Sequence, residues 1–400
     1  MRACRFVARC VTVMLALCAP LVGATPYRPA SDNDIVETLP ASAGSAGDRA
    51  TRALRAAVAR DPENIDLALR LASLYVARAR IESDPRPLGR AEAALAPWWN
   101  APEPPVPVLV LRATIEQSGH AFDDARADLM RALAREPANA QAWLTLATVQ
   151  QVTGDLAGAG ASCRQVADIA APPIASTCTA SVDGVSGRAV EAFDALDRLR
   201  AGAPAMHGPD ATLATWAMTL QAELAERLGR SSDAERLYRA SRALDPRDVY
   251  TIAVYADFLL DAHREAEVLA MIPGDTPVDI LLLRRVQAAV RSRAPDASRD
   301  ADALNERFAA LRARGDRVHL REEARYTLEI LDKPDAALAL ALDDWRVQKE
   351  PLDARIVLEA ALAAHKPAAA HDVVDWIAAT HLEGERLAVL ARQASTETER

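Results

Sequence analysis

Apolar residues recur at every third or fourth position in short segments from about residue 50 to about residue 394. Turns holding Gly, Pro or His separate the segments. This is the pattern of amphipathic helices packed in series. Past residue 270 it predicts helices near 278–293, 301–314, 318–331, 335–348, 353–364, 368–380 and 383–394, with Pro334 and Pro367 near the starts of two of them, where Pro is tolerated. Before residue 270 the pattern also repeats. Ala113 and Ala147 stand 34 residues apart, as do Ala222 and Ala256. After Ala222, residues Ala234, Tyr238 and Pro246 follow at offsets 12, 16 and 24, and after Ala113 the same offsets hold Ala125, Leu129 and Pro137. Unrelated helices would not share such offsets.

A 34-residue unit of two helices, with small residues at two close-packing positions and a closing Pro, resembles the tetratricopeptide repeat. The small positions are Ala72, Ala113, Ala147, Ala222 and Ala256 in first helices, and Ala125, Ala159 and Ala234 in second helices. The closing residues are Pro62, Pro137 and Pro246, while Tyr75 and Trp143 stand where that family favours large side chains. Gly119, Gly154, Gly187 and Gly229 fall in the turns between paired helices, as left-handed helix ends require. Ala72 and Ala113 are 41 apart, so the IESDPRP stretch acts as an insertion. The resemblance implies an all-α fold, a right-handed superhelical solenoid of antiparallel helix pairs. Residues 48–270 would form the repeat array, and 271–400 repeat-like helical pairs ending in a capping helix.

The same resemblance implies that first helices line a concave groove holding a protein or peptide. By position, its lining would be Leu69, Ser73, Val76, Val110, Thr114, Gln117, Leu144, Thr148, Gln151, Thr219, Glu223, Glu226, Asp257 and Leu260. The early positions are apolar or neutral and the later ones acidic. Lys, Arg and Asn are absent there, which argues against the family's carboxylate-clamping groove. For each residue, simple packing between helices is the competing reading.

Composition agrees with stacked helices: half of the chain is hydrophobic but only 4% aromatic, so Ala and Leu carry the apolar content. That much apolar surface excludes disorder along the whole length. A net charge of −9 disfavours nucleic acid or an anionic membrane as a general partner. All but three of the 47 basic residues are Arg, the exceptions being Lys333, Lys349 and Lys366.

Residues 1–24 have the build of an export signal. Arg2, Arg5 and Arg9 precede an apolar core from Val11 to Val22, and Val22-Gly23-Ala24 forms a cleavage site before Thr25. The core is too short to span a membrane. A lipoprotein signal ending at Cys18 is a competing reading, disfavoured because Leu17 before it is not small, and membrane association is expected only if Cys18 is lipidated. Residues 25–47 read as a flexible leader. The expected location is exported: periplasmic, envelope-associated or secreted. After cleavage only Cys163 and Cys178 remain, in adjacent helices on the repeat frame, and a structural disulfide between them is expected.

Catalytic and cofactor motifs are missing. There is no H-E-x-x-H, G-x-S-x-G, phosphate loop or EF-hand loop, and Gly158-Ala159-Gly160 falls inside a helix where small residues pack. No catalytic residue, cofactor or metal site is expected. His120, His263 and His365 sit in inter-helix turns and read as helix caps. His371 and His381, with Asp372 and Asp375 between them, fit no metal template. Gly315 in Arg314-Gly315-Asp316 ends a helix, and Trp98-Trp99 reads as packing beside the insertion. The chain therefore reads as a noncatalytic scaffold. The alternative is an exported repeat protein with a metal-linked or enzymatic C-terminal region.

Overall fold

The structure, a computed structural model, describes residues 46–82, 84–202 and 211–398. The export signal at 1–24, Cys18 and nearly all of the 25–47 leader lie outside them. The chain divides into Met1–Ala50, of which only the last residues are described, and a compact body Thr51–Arg400.

Every regular element among the described residues is helical. In chain order the helices are α1 (Ala46–Arg60), α2 (Ile65–Glu82), α3 (Arg86–Trp99), α4 (Val106–Ser118), α5 (Phe122–Arg135), α6 (Ala140–Val152), α7 (Leu156–Ile169), α8 (Pro172–Asp183) and α9 (Ala189–Gly202). They continue with α10 (Ala211–Arg227), α11 (Ser231–Leu244), α12 (Val249–Asp261), α13 (Glu265–Met271), α14 (Asp279–Ser292), α15 (Ala297–Ala313), α16 (Leu320–Glu329), α17 (Pro334–Trp345), α18 (Pro351–Ala363), α19 (His371–Thr380) and α20 (Glu385–Thr398). A 3-10 turn, Pro367–Ala370, leads into α19. All seven helices expected past residue 270 are present. Pro334 opens α17, and Pro367 opens the 3-10 turn where the sequence pattern predicted the start of an α-helix.

Helices pack as successive pairs, from α2 with α3 to α16 with α17. The alanines of the repeat pattern sit at the crossings. Ala72, Ala113, Ala222 and Ala256 in first helices, and Ala125, Ala159 and Ala234 in second helices, are wholly buried, and Ala147 nearly so. A larger side chain there would force the helices apart. The core follows the chain in overlapping clusters, one spanning Ala68–Val108, the next Val106–Val149, then Ala147–Val182. That is the quasi-linear build of a solenoid. The body is an all-α solenoid of antiparallel helix pairs with a tetratricopeptide-like repeat.

One residue in each intra-pair turn from α4 onward adopts a left-handed conformation. Gly154, Gly187 and Gly229 do so as expected, with φ of 89°, 76° and 71°. In the α4–α5 turn the left-handed residue is His120 (φ 59°), and Gly119 beside it has φ −94°. His263 and His365 take the same conformation, as do Arg293 and Asp332 in later turns. Here the backbone, more than imidazole capping, is what the position demands: the amide of His263 donates to the Leu260 carbonyl while its ring is 88% exposed. A non-glycine residue pays about 1–2 kcal/mol for this conformation. We predict that His263→Gly raises thermal stability by up to about 1 kcal/mol and that β-branched His263→Val lowers it. A calorimetric melt of the two variants checks both signs.

Candidate functional site

The first-helix face is the candidate site, and its accessibility changes along the array. On α2, Ser73 is exposed and Leu69 and Val76 are half-buried. On α4 and α6, Thr114, Gln117, Leu144 and Gln151 are half-buried and Thr148 is exposed. Val110 belongs to the core of its pair. Gln151 Oε1 accepts from Ser181 Oγ at 2.9 Å, tying α6 to α8. Farther on, Thr219 is buried in a hydroxyl triad, 2.8 Å from Ser241 Oγ and 2.7 Å from Thr251 Oγ1. Leu260 is core, and Asp257 is buried as an ion pair.

Thr219 and Leu260 are buried by neighbouring helices of the array, whereas the acids of α12 are met by the chain's own C-terminal end. Asp257 accepts from two guanidinium forks: Arg284 Nε and Nη2 at 3.1 and 2.8 Å, and Arg325 Nη1 and Nη2 at 3.1 and 2.9 Å. One turn along α12, Asp261 receives both Nη atoms of Arg355 at 2.6 and 2.7 Å and Arg386 Nη1 at 2.8 Å. Arg284 is 27 residues from Asp257, but the other three pairs join residues 68, 94 and 125 positions apart. Paired planar donors of this kind suit Arg and would be poorly replaced by Lys.

The same C-terminal segment lies along the intra-pair turns of the middle array. The Lys349 amide donates to the Val152 carbonyl at 2.7 Å, and the Glu383 carboxylate accepts from the Ala189 amide. A Cβ on Gly187 would meet His381 Cβ at 2.7 Å, and one on Gly229 would meet the Glu385 carboxylate at 2.6 Å. Glycine at 187 and 229 thus serves two ends, a left-handed turn and a close approach. Val185 shares a core cluster with Ala324–Ala394, and Val347 packs on the Val106–Val149 cluster.

Two carboxyls of the acidic face have tyrosine partners in place of arginine. Glu223 Oε1 accepts from Tyr250 Oη at 2.7 Å and Glu226 Oε2 from Tyr238 Oη at 2.8 Å. Burial pushes Glu223 up to about 7 and Glu226 up to about 8, the latter helped by the neighbouring Asp261, Asp257 and Glu223. Burial alone would also raise Asp257, yet Arg284 and Arg325 hold it well below the usual carboxylate range. Burial of Glu322 is likewise outweighed by Arg321 and Arg284, which bring it to about 2. The array thus carries carboxyls displaced in both directions.

The cysteines meet as expected: Cys163 in α7 and Cys178 in α8 are bonded, with Cα atoms 5.6 Å apart. Gly158 and Gly160 lie within α7, after the N-cap Asp155. Trp98 and Trp99 pack partly against the first core cluster, with the Arg112 guanidinium 5.7 Å from the Trp99 ring centre. His371 pairs with Asp375 at 3.1 Å, whereas His381 holds the α19–α20 turn. Among the described residues no three His, Cys, Asp or Glu side chains are grouped to hold a metal ion, and no helix is long and apolar enough to cross a membrane.

Sequence reasoning placed the acidic face but missed Asp261 and the arginines opposite it. The surplus of Arg was the only available signal, and it carries no positional information.

No family model and no curated protein matches the chain. Among solved structures, it is similar to a tetratricopeptide repeat protein from Parabacteroides merdae at 12% identity, over 73% of this chain and 98% of that one, with a TM-score of 0.38. It is similar to the Cut9–Hcn1 hetero-tetramer of the APC/C at 13% identity, over 87% of this chain and 73% of that one (TM-score 0.45). Yeast Tom70 matches at 10% identity, over 88% of this chain and 86% of that one (TM-score 0.41).

Raised carboxyls bind protons more tightly folded than unfolded, so their contribution is present below an unfolded pKa near 4.3 and lost as pH rises through about 7 to 8. Stability should therefore fall between pH 5 and 8.5. Glu226→Gln should flatten that fall, melting with wild type at pH 5 and above it at pH 8. Melting curves across this range provide the check, and an unchanged slope in the variant would remove Glu226 as the cause.

Proposed function

We propose that this protein is a noncatalytic scaffold of the cell envelope, exported to the periplasm, that holds a protein or peptide segment on the first-helix face of α2, α4 and α6. The observation that carries the reading is the gradient along that face. In its early part Ser73 and Thr148 are exposed and Leu69, Val76, Thr114, Gln117 and Leu144 half-buried, with Val110 in the core. In its later part Thr219, Asp257 and Leu260 are buried, and the half-buried Glu223 and Glu226 are hydrogen-bonded to tyrosines. The accessible part is neutral, with apolar and short polar side chains. Such a surface suits an uncharged extended or helical segment better than a nucleic-acid backbone.

Export is supported by residues 1–24 and by the Cys163–Cys178 bond, which suits an oxidising compartment. A 15-residue closure adds at most about 3 kcal/mol by loop entropy. Mass spectrometry of the N-terminus tests this part: Thr25 first supports soluble export, and an acylated Cys18 would place the scaffold on a membrane instead.

Crosslinking in intact cells, followed by pull-down, tests the groove. Ser73→Arg with Thr148→Arg changes two exposed positions, so stability should stay within about 0.5 kcal/mol. A dominant partner captured by wild type and lost by at least tenfold in the double variant is the expected outcome. A partner retained by the variant would move binding to another face.

A further inference from the structure

We infer that α18 and α20 are an intramolecular occupant of the distal first-helix face, and that an arginine-bearing segment of a partner can displace them. This goes beyond the scaffold reading above, since it concerns a second, cationic segment at the α12 end of the face.

The C-terminal helices are held at two places of different character. At the first, Asp257, Arg284 and Arg325 are almost wholly enclosed, with side chains 5%, 3% and 11% exposed. Breaking such a group leaves uncompensated buried charge, so it acts as a fixed anchor for α16. At the second, Asp261 is 22% exposed, Arg355 15% and Arg386 52%, and Glu359 competes for both arginines at 2.8 and 3.0 Å. Ion pairs in contact with water exchange partners at low cost and weaken with salt. With Arg386 half-exposed and Asp261 more open than Asp257, Asp261 is the more releasable of the two ends.

The seam around it is mostly polar. Inside the C-terminal segment a continuous apolar cluster runs from Ala324 to Ala394, but across the seam only Val185 belongs to that cluster, with Leu156 beside it. Val347 packs on the Val106–Val149 cluster, and the other seam contacts include hydrogen bonds and close approaches at turns: Lys349 to Val152, Glu383 to Ala189, and His381 beside Gly187. The segment can thus part from the array while keeping its own core, as sub-global openings do.

The occupant also shows what the face accepts. Arginine forks are set onto the α12 carboxylates Asp257 and Asp261. A competitor must bring guanidinium groups in place of Arg355 and Arg386.

The test uses the full mature chain with Arg355→Ala and Arg386→Ala together, read by amide hydrogen exchange and by titration with a nine-arginine peptide at low salt. Exchange should accelerate at least tenfold in α18 and α20 while α2 to α7 keep their protection. The peptide should bind at least tenfold more tightly than to wild type, and adding Asp261→Asn should remove the gain. Unchanged exchange, acceleration spread evenly over every helix, or no gain in peptide affinity would each overturn the inference. None of these readouts depends on capturing a cellular partner, so failure here is distinct from failure of the scaffold reading.

Discussion

Close approach of two helices at an alanine is the constraint on which the rest of this architecture depends. Ala72, Ala113, Ala222 and Ala256 are wholly buried in first helices, and Ala125, Ala159 and Ala234 in second helices. Each removes the bulk that would hold a pair apart, and a larger side chain there would cost about 1–3 kcal/mol. With the pairs this close, their turns are short and need a left-handed residue. Gly154, Gly187 and Gly229 supply it at no steric cost, while His120, His263 and His365 supply it at some.

A solenoid built this way is stabilised by nearest neighbours, and the early clusters obey that rule except where Val347 packs on the Val106–Val149 cluster. Beyond residue 320 the rule is broken. Arg325, Arg355 and Arg386 reach back to α12, and Lys349, His381, Glu383 and Glu385 lie against the turns of the middle pairs. The C-terminal segment is thereby tied to α12 and to the intra-pair turns from α6 to α11.

Much of the fold was legible in the sequence because its causes are local. The alanine spacing, the Pro and Gly punctuation and the 15-residue separation of Cys163 and Cys178 each act within one or two helices. The site was legible only by halves. Glu223, Glu226 and Asp257 could be placed on the first-helix face by their offset from Ala222 and Ala256. That arginines 68 to 125 residues away would meet the acids of this face depends on the curvature accumulated over several pairs, which no local pattern encodes. Val110, Thr219 and Leu260 stand at groove offsets yet are buried, because neighbouring helices pack over them.

Return of the C-terminal segment to the middle turns is the central claim, and a designed crosslink measures it most directly. A Cβ built at Gly154 lies 3.9 Å from Lys349 Cβ, within disulfide reach although the positions are 195 residues apart. Gly154→Cys with Lys349→Cys should form an intramolecular bond on mild oxidation, found by peptide mapping as a 154–349 link beside the native 163–178 link. Two free thiols at 154 and 349, in a protein of unchanged helicity, would contradict it and leave an open array.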